Sequence, residues 1–138
     1  YVAARHAAAP AARVLVLTAP LTDPPNQVDC AGPGSFYDDL LRLAGHANAA
    51  AGSGRAFAQV SLEYVLQQDP DVIIELAPDA AARPGGDADA QRVWAKVGPL
   101  RAVRARRVHV LVGPQHFLLG PRVAATFEAL CGAIAAAP

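Results

Sequence analysis

The chain has 138 residues, enough for one domain with a real hydrophobic core and too few for two comfortable ones. Apolar residues make up 53% and charged residues 17%, which excludes an intrinsically disordered chain. Lys plus Arg and Asp plus Glu number 12 each, so the formal net charge is zero and recognition of nucleic acid or an anionic membrane by bulk electrostatics is excluded.

The opening segment, Tyr1 to Ala9, is Ala-rich and carries no helix start signal, so it reads as the tail of a helix. After Pro10, Arg13 to Thr18 reads as a first buried strand. The stretch from Ala19 to Gly34 is crowded with Pro, Gly, Asp and Asn and reads as a loop. Ser35 then caps a helix containing Phe36, Leu40, Leu41 and Ala44, with Asp38 at the capping-box position and Gly45 as its stop. Ala47 to Ala51 predicts a short strand, and Gly52-Ser53-Gly54 a turn.

The stretch FAQVSLEYVLQQDPDVIIEL, Phe57 to Leu76, is the most informative in the chain. Ser61 caps a short helix, Glu63 stands where the helix dipole favours a negative charge, and Leu62, Val65 and Leu66 share a face. Pro70 ends the helix and pushes Asp69 toward an extended conformation. Val72, Ile73 and Ile74 follow as a β-branched strand buried on both faces. Pro78 to Asp89 is a loop, Ala90 to Val97 a helix with Trp94 in the core, and Leu100 to Val103 a short turn. Val108 to Val112 is a further strand, and a last helix runs from about Arg122 to Ala136. Strands alternating with helices predict an α/β fold: a single three-layer lobe, its mainly parallel sheet flanked by helices, like one Rossmann-type half of a larger protein.

Chemistry-bearing motifs are few. The Ala31-Gly32-Pro33-Gly34-Ser35 turn lacks the third glycine of a dinucleotide fingerprint, since Tyr37 holds that position, and Pro33 withholds a donor that a phosphate would use. His6, His46, His109 and His116 show no metal-ligand spacing, so no metal site is expected. No serine sits in a nucleophile elbow, and no catalytic residue or cofactor is expected. Asp38-Asp39, Asp69/Asp71 and Asp87/Asp89 read as solvated capping acids, and Arg101, Arg104, Arg106 and Arg107 as a solvent-facing turn. His109 alternates with the strand valines and reads as structural. His116 lies on the loop leaving a strand's C-terminal end, where α/β sheets place ligands, so a solvated loop residue and a ligand contact are both open. Phe57, read from its own surroundings, is a half-buried aromatic that packs its loop onto the sheet.

The string QVSLE-x-VL-x-x-DPDVII resembles the C-terminal lobe of the periplasmic substrate-binding proteins of importers for iron–siderophore complexes, haem and cobalamin. The resemblance extends to AGPGSFYDDLLRLAG (31–45), Asn48-Ala49-Ala50, VWAKVGPLRAVRARRVHVL (93–111) and Gly120-Pro121-Arg122, in the family's order over roughly residues 13–136.

This resemblance implies a non-catalytic binding protein with residues 13–138 as the C-terminal lobe and residues 1–12 as the tail of the inter-lobe helix. Its implied partners are the N-terminal lobe, a siderophore, haem or cobalamin, and the permease subunits of an ABC importer, in the periplasm or as an exported envelope protein. The cleft surface would come from Pro20–Cys30, Ala56–Gln59, Ala77–Asp79 and Pro114–Leu118, with Asn26, Gln27, Phe57, Gln115, His116 and Phe117 as the ligand-binding residues. Glu63 matches the acid that docks such a lobe on its importer. Some relatives tie the terminal helix back with a disulfide, and Cys131 matches that helix position. Cys30 departs from the pattern, so two free thiols are expected in preference to a Cys30–Cys131 bridge. The alternative, from a different class, is a small flavodoxin-like enzyme or nucleotide-binding module.

Overall fold

The structure is a computed structural model that describes residues 11–117 and 123–135. Readings made on Tyr1 to Ala9, on Leu118 and on Gly120-Pro121-Arg122 lie outside the described residues.

Among the described residues a six-stranded sheet runs in the order β4-β2-β1-β5-β6, with the short β3 beside β1. The strands are β1 (Arg13–Leu17), β2 (Val28–Ala31), β3 (Ala47–Asn48), β4 (Phe57–Val60), β5 (Val72–Ala77) and β6 (Val108–Val112). The helices are α1 (Phe36–Leu43), α2 (Leu62–Gln68), α3 (Gly86–Ala95), α4 (Arg101–Arg104) and α5 (Val123–Ala135). Strands β1, β3, β5 and β6 are parallel, with Val14 opposite Val72 and Ile73 opposite Val108. The mostly parallel α/β architecture is as the alternation of elements predicts.

Alternation along each strand sends successive side chains to opposite faces. Val14, Val16, Val72, Ile74 and Leu76 pack under Tyr37, Leu40 and Leu41 of α1 and Phe127, Leu130 and Ile134 of α5. Leu15, Leu17, Ile73 and Val108 pack under Val65 of α2, Val93 and Trp94 of α3, and Ala102 of α4. Each large apolar side chain so buried is worth about 1.5–3 kcal/mol, so β1 and β5, covered on both faces, anchor the lobe.

Three expectations are corrected. The stretch read as a loop after β1 contains β2, and the residues before Ser61 form β4; the two pair antiparallel from Val28–Val60 to Ala31–Phe57. Four-residue strands hemmed in by Pro, Gly and Ser give too short a period to detect against turn signals. Helix α3 starts at Gly86, ahead of the expected Ala90. Asp69 is left-handed (φ 46°, ψ 65°) and not extended. Pro70 excludes the right-handed helical region for Asp69, and the chain leaves it by the other route because the Asp69 carboxylate then accepts from the Arg101 amide at 2.9 Å.

Both predicted caps form: Ser35 accepts from the Asp38 amide at 3.2 Å and Ser61 from the Tyr64 amide at 3.0 Å. Gly45, at φ 85°, closes α1, and the His46 amide reaches back to the Leu41 carbonyl at 2.9 Å. Gly32 lets two loops meet, since a Cβ there would lie 2.0 Å from the Arg55 carbonyl oxygen. That close approach is the role of the glycine-rich turn.

Candidate ligand-binding edge

Parallel strands β1, β5 and β6 bring their C-terminal ends to one edge of the sheet, where open α/β sheets hold ligands. Three loops rise from it: residues 18–27 after β1, 78–85 after β5, and the turn Pro114–Phe117 after β6. Strand β4 is antiparallel to β2, which is antiparallel to β1, so β4 also points at this edge and delivers Ser61 and the start of α2 there.

A buried ion pair lies directly below two of these loops. Glu75, in the middle of the apolar run of β5, is fully buried, and Arg83 is nearly so. The carboxylate accepts from Arg83 Nε at 3.0 Å, Arg83 Nη2 at 2.9 Å, Trp94 Nε1 at 2.9 Å and the Leu21 amide at 3.1 Å. Arg83 Nη2 also donates to the Leu21 carbonyl at 2.7 Å. An uncompensated charge at this depth would cost several kcal/mol, and saturating the carboxylate with donors offsets that cost. Beyond Leu21, the Asp23 carboxylate takes Lys96 Nζ at 2.7 Å and Arg92 Nη2 at 3.1 Å, and these bonds hold its pKa below the usual carboxylate value.

The sequence-predicted residues divide into two groups. Asn26 and Gln27 are exposed on the loop after β1, and Glu63 is exposed in the first turn of α2. Phe57 is 61% exposed, so the half-buried packing reading is corrected. It pairs with Ala31, three residues along the ladder from the Val28–Val60 pair, which sets it roughly 10 Å from the level of that pair. His116 is buried, with Nδ1 3.3 Å from Thr126 Oγ1, while its carbonyl accepts from the Tyr37 hydroxyl. Burial lowers its pKa, and the solvated-loop reading is corrected. Phe117 is partly buried and packs on the α1–α5 core. The Gln115 side chain lies outside the described residues.

Elsewhere, Asp38 is a buried acid and not a solvated cap, bonded to Arg42 Nη2 at 2.6 Å and to Asn48 Nδ2 at 3.1 Å. Cys30 and Cys131 are free thiols buried on opposite faces of the sheet, in separate cores. An open groove of about 510 Å³ lies beside β6, lined by Asp87, Gln91, Arg106 and His109. It flanks the first residues of β6, away from the C-terminal strand ends. There Asp87 accepts from the Val110 amide at 2.7 Å and contacts His109 Nδ1 at 3.2 Å, shielding the open strand edge. Among the described residues no group of three or more His, Cys, Asp or Glu is disposed to hold a metal ion, and no helix is long and apolar enough to cross a membrane.

Sequence reasoning missed Glu75 and Arg83. The signal was present: a carboxylate inside VIIELA demands a buried partner, and Arg83 is the cation nearest in sequence on the C-terminal side.

No family model matches the sequence, and neither does any curated protein. Solved structures do. The periplasmic haem-binding protein BhuT, determined with two haems, is 29% identical with a TM-score of 0.74, over 97% of this chain and 48% of that one. The periplasmic haem-binding protein RhuT from Roseiflexus sp. RS-1 is 28% identical with a TM-score of 0.70, over 96% of this chain and 48% of that one. The periplasmic vitamin B12-binding protein BtuF of Vibrio cholerae, at 24% identity, shares the fold with a TM-score of 0.73, over 96% and 48%.

This chain has the fold of one half of these periplasmic binding proteins. It spans about half the length of each of these structures. The resemblance carried by the QVSLE and DPDVII motifs therefore extends to three-dimensional structure.

Proposed function

We propose that the chain is the C-terminal lobe of the solute-binding component of an ABC importer, and that it carries an iron chelate, haem or cobalamin without catalysis. In this reading residues 13–138 form the lobe, residues 1–12 end the helix that joins it to an N-terminal lobe, and the protein is exported. One observation carries the reading: nearly the whole chain superimposes on half of proteins described as binding haem or vitamin B12. Exposed Asn26, Gln27 and Phe57 supply polar and aromatic surface suited to a large planar or macrocyclic solute. Glu63 is the docking acid for the permease, and its exposure supports that role.

Thermal-shift titration of the chain with haemin, cyanocobalamin, ferrichrome, NAD and FMN tests the proposal. Stabilisation by one of the first three alone is the expected result. Binding should be weaker than in the two-lobed protein, because one lobe encloses only part of the solute. A shift with NAD or FMN and none with a chelate would overturn the reading in favour of a nucleotide-binding module.

A further inference from the structure

We propose that the Glu75–Arg83 pair is the positioning element of the ligand edge, binding the loop after β1 and the loop after β5 into a single unit that orders or opens together. The proposal rests on the reading of that edge as the solute surface.

The geometry at Leu21 carries the inference. Glu75 Oε2 takes its amide at 3.1 Å while Arg83 Nη2 donates to its carbonyl at 2.7 Å, so both polar groups of one residue in the first loop are held by one ion pair. The cation of that pair is itself part of the second loop. Arg83 Nη1 reaches Asp89 of α3 at 3.1 Å; Asp89 accepts from Arg92 Nη2 at 2.7 Å, and Arg92 with Lys96 holds Asp23 at the tip of the first loop. A continuous path of charge-assisted bonds therefore runs from the second loop through α3 and back to the first.

The coupling follows from burial. Glu75 has no access to water, so a departure of Arg83 leaves a buried carboxylate without its counter-ion, facing only the Leu21 and Trp94 donors. A departure of Leu21 strips one donor from Glu75 and one acceptor from Arg83 at once. Opening of either loop alone therefore leaves a buried group of the ion pair without a partner. Asn26 and Gln27 follow Leu21 and Asp23 within a few residues, so the pair also preorganises the exposed rim and lowers the ordering cost of binding.

Native-state hydrogen exchange on the chain tests this directly. The Leu21 amide, bonded to Glu75, and the Arg83 amide, bonded to the Ala80 carbonyl, should show opening constants equal within about twofold, with the same denaturant dependence. Arg83→Lys keeps the charge and loses the fork. In that variant the amides of Leu21 and residue 83 should both exchange at least tenfold faster, while the Ile73 amide in the sheet changes by less than twofold. Affinity for whichever of haemin, cyanocobalamin or ferrichrome the unmodified chain binds should fall about tenfold.

Faster exchange at residue 83 with Leu21 unchanged would overturn the coupling. Acceleration of Ile73 in parallel would show a general stability element and overturn it equally. If Arg83→Lys does not fold, unequal opening of Leu21 and Arg83 in the unmodified chain overturns it, and equal opening upholds it. Failure of all three solutes to bind the unmodified chain counts against the solute reading alone, because the exchange comparison needs no ligand.

Discussion

Asn48 Nδ2 donates to Asp38 Oδ1 at 3.1 Å and to the Ala31 carbonyl at 3.0 Å, while Asn48 Oδ1 accepts from the Ala50 amide at 2.9 Å. One buried amide thus joins β3, the start of α1 and the end of β2. Burial opposes ionisation of Asp38, and the bonds from Arg42 and Asn48 outweigh it, so its pKa lies below the usual carboxylate value. Asn48→Leu should destabilise the lobe by about 1–3 kcal/mol, the cost of leaving buried polar groups unpaired. Asn48→Asp should be worse at neutral pH, because it sets a second carboxylate against Asp38, and should recover partly in acid. Urea unfolding at two pH values reads both effects.

The pH dependence should also carry the mark of two buried histidines. Burial lowers the pKa of His46, with the nearby Arg107 charge acting in the same direction, and burial lowers that of His116, each from an ordinary 6.5. His46 Nδ1 accepts from the Ala12 amide at 3.1 Å, a role open only to the unprotonated nitrogen. Below pH 6.5 the unfolded chain takes up protons that the folded lobe refuses. The stabilisation is fully present above that pH and is lost as pH falls through the depressed folded values. Thermal unfolding between pH 7.5 and 5 should show a falling midpoint, with a shallower slope in His46→Asn, which keeps an acceptor near the Nδ1 position. An unchanged slope in that variant would remove His46 from the account.

The long signals were readable from the chain alone. Ser61, the helical spacing of Leu62 and Val65, and the β-branched Val72 to Ile74 agree on helix then buried strand, and the structure follows them. What escaped was set by partners distant in sequence. Phe57–Val60 is a strand because Val28–Ala31 lies beside it, and neither is long enough to declare itself. His116 looks like a loop residue until Tyr37 and Thr126 draw it inward. Glu75 finds Arg83, Trp94 and Leu21 only in three dimensions, where all three converge on it.

The thiols should be inert in the folded lobe. Desolvation raises the Cys30 pKa to about 11, with Asp29 adding to it, and desolvation likewise raises that of Cys131. The thiolate is the reactive form, so iodoacetamide at pH 8 should label neither residue in the native protein and both after denaturation without reductant. Absence of labelling in the denatured, unreduced protein would reveal a disulfide and contradict the placement of the two cysteines on opposite faces.

Arg106 is held at φ 56° just after α4, where its amide bonds to Val103 and the following amide reaches back to Ala102 at 2.7 Å. That is the left-handed helix-end position glycine occupies without strain. Arg106→Gly should raise stability, because the left-handed conformation costs a residue with a Cβ about 1–2 kcal/mol, offset in part by the larger conformational entropy that glycine loses on folding. Asp69 is also left-handed, at φ 46°, but its carboxylate bonds the Arg101 amide and lies 3.3 Å from Arg101 Nε. Asp69→Gly should therefore bring no gain. Equal stabilisation in both variants would show that the Asp69 contacts contribute nothing.

Glu63 stands two residues after the Ser61 cap, exposed in the first turn of α2, on the edge of the lobe that also carries the loops after β1 and β5. As a helix-start acid it is worth about 0.3–1 kcal/mol to stability. As the docking acid proposed above it would meet a cationic surface on the importer, and an exposed charge pair of that kind governs association rate and salt dependence more than final affinity. Glu63→Ala in the complete receptor should then slow association with the permease several-fold at low salt, with the difference narrowing as salt rises. Solute affinity should stay the same. Surface plasmon resonance against reconstituted permease, run as a salt series, separates the two roles. An unchanged association rate with a small loss of thermal stability would leave Glu63 as a helix-start residue and nothing more.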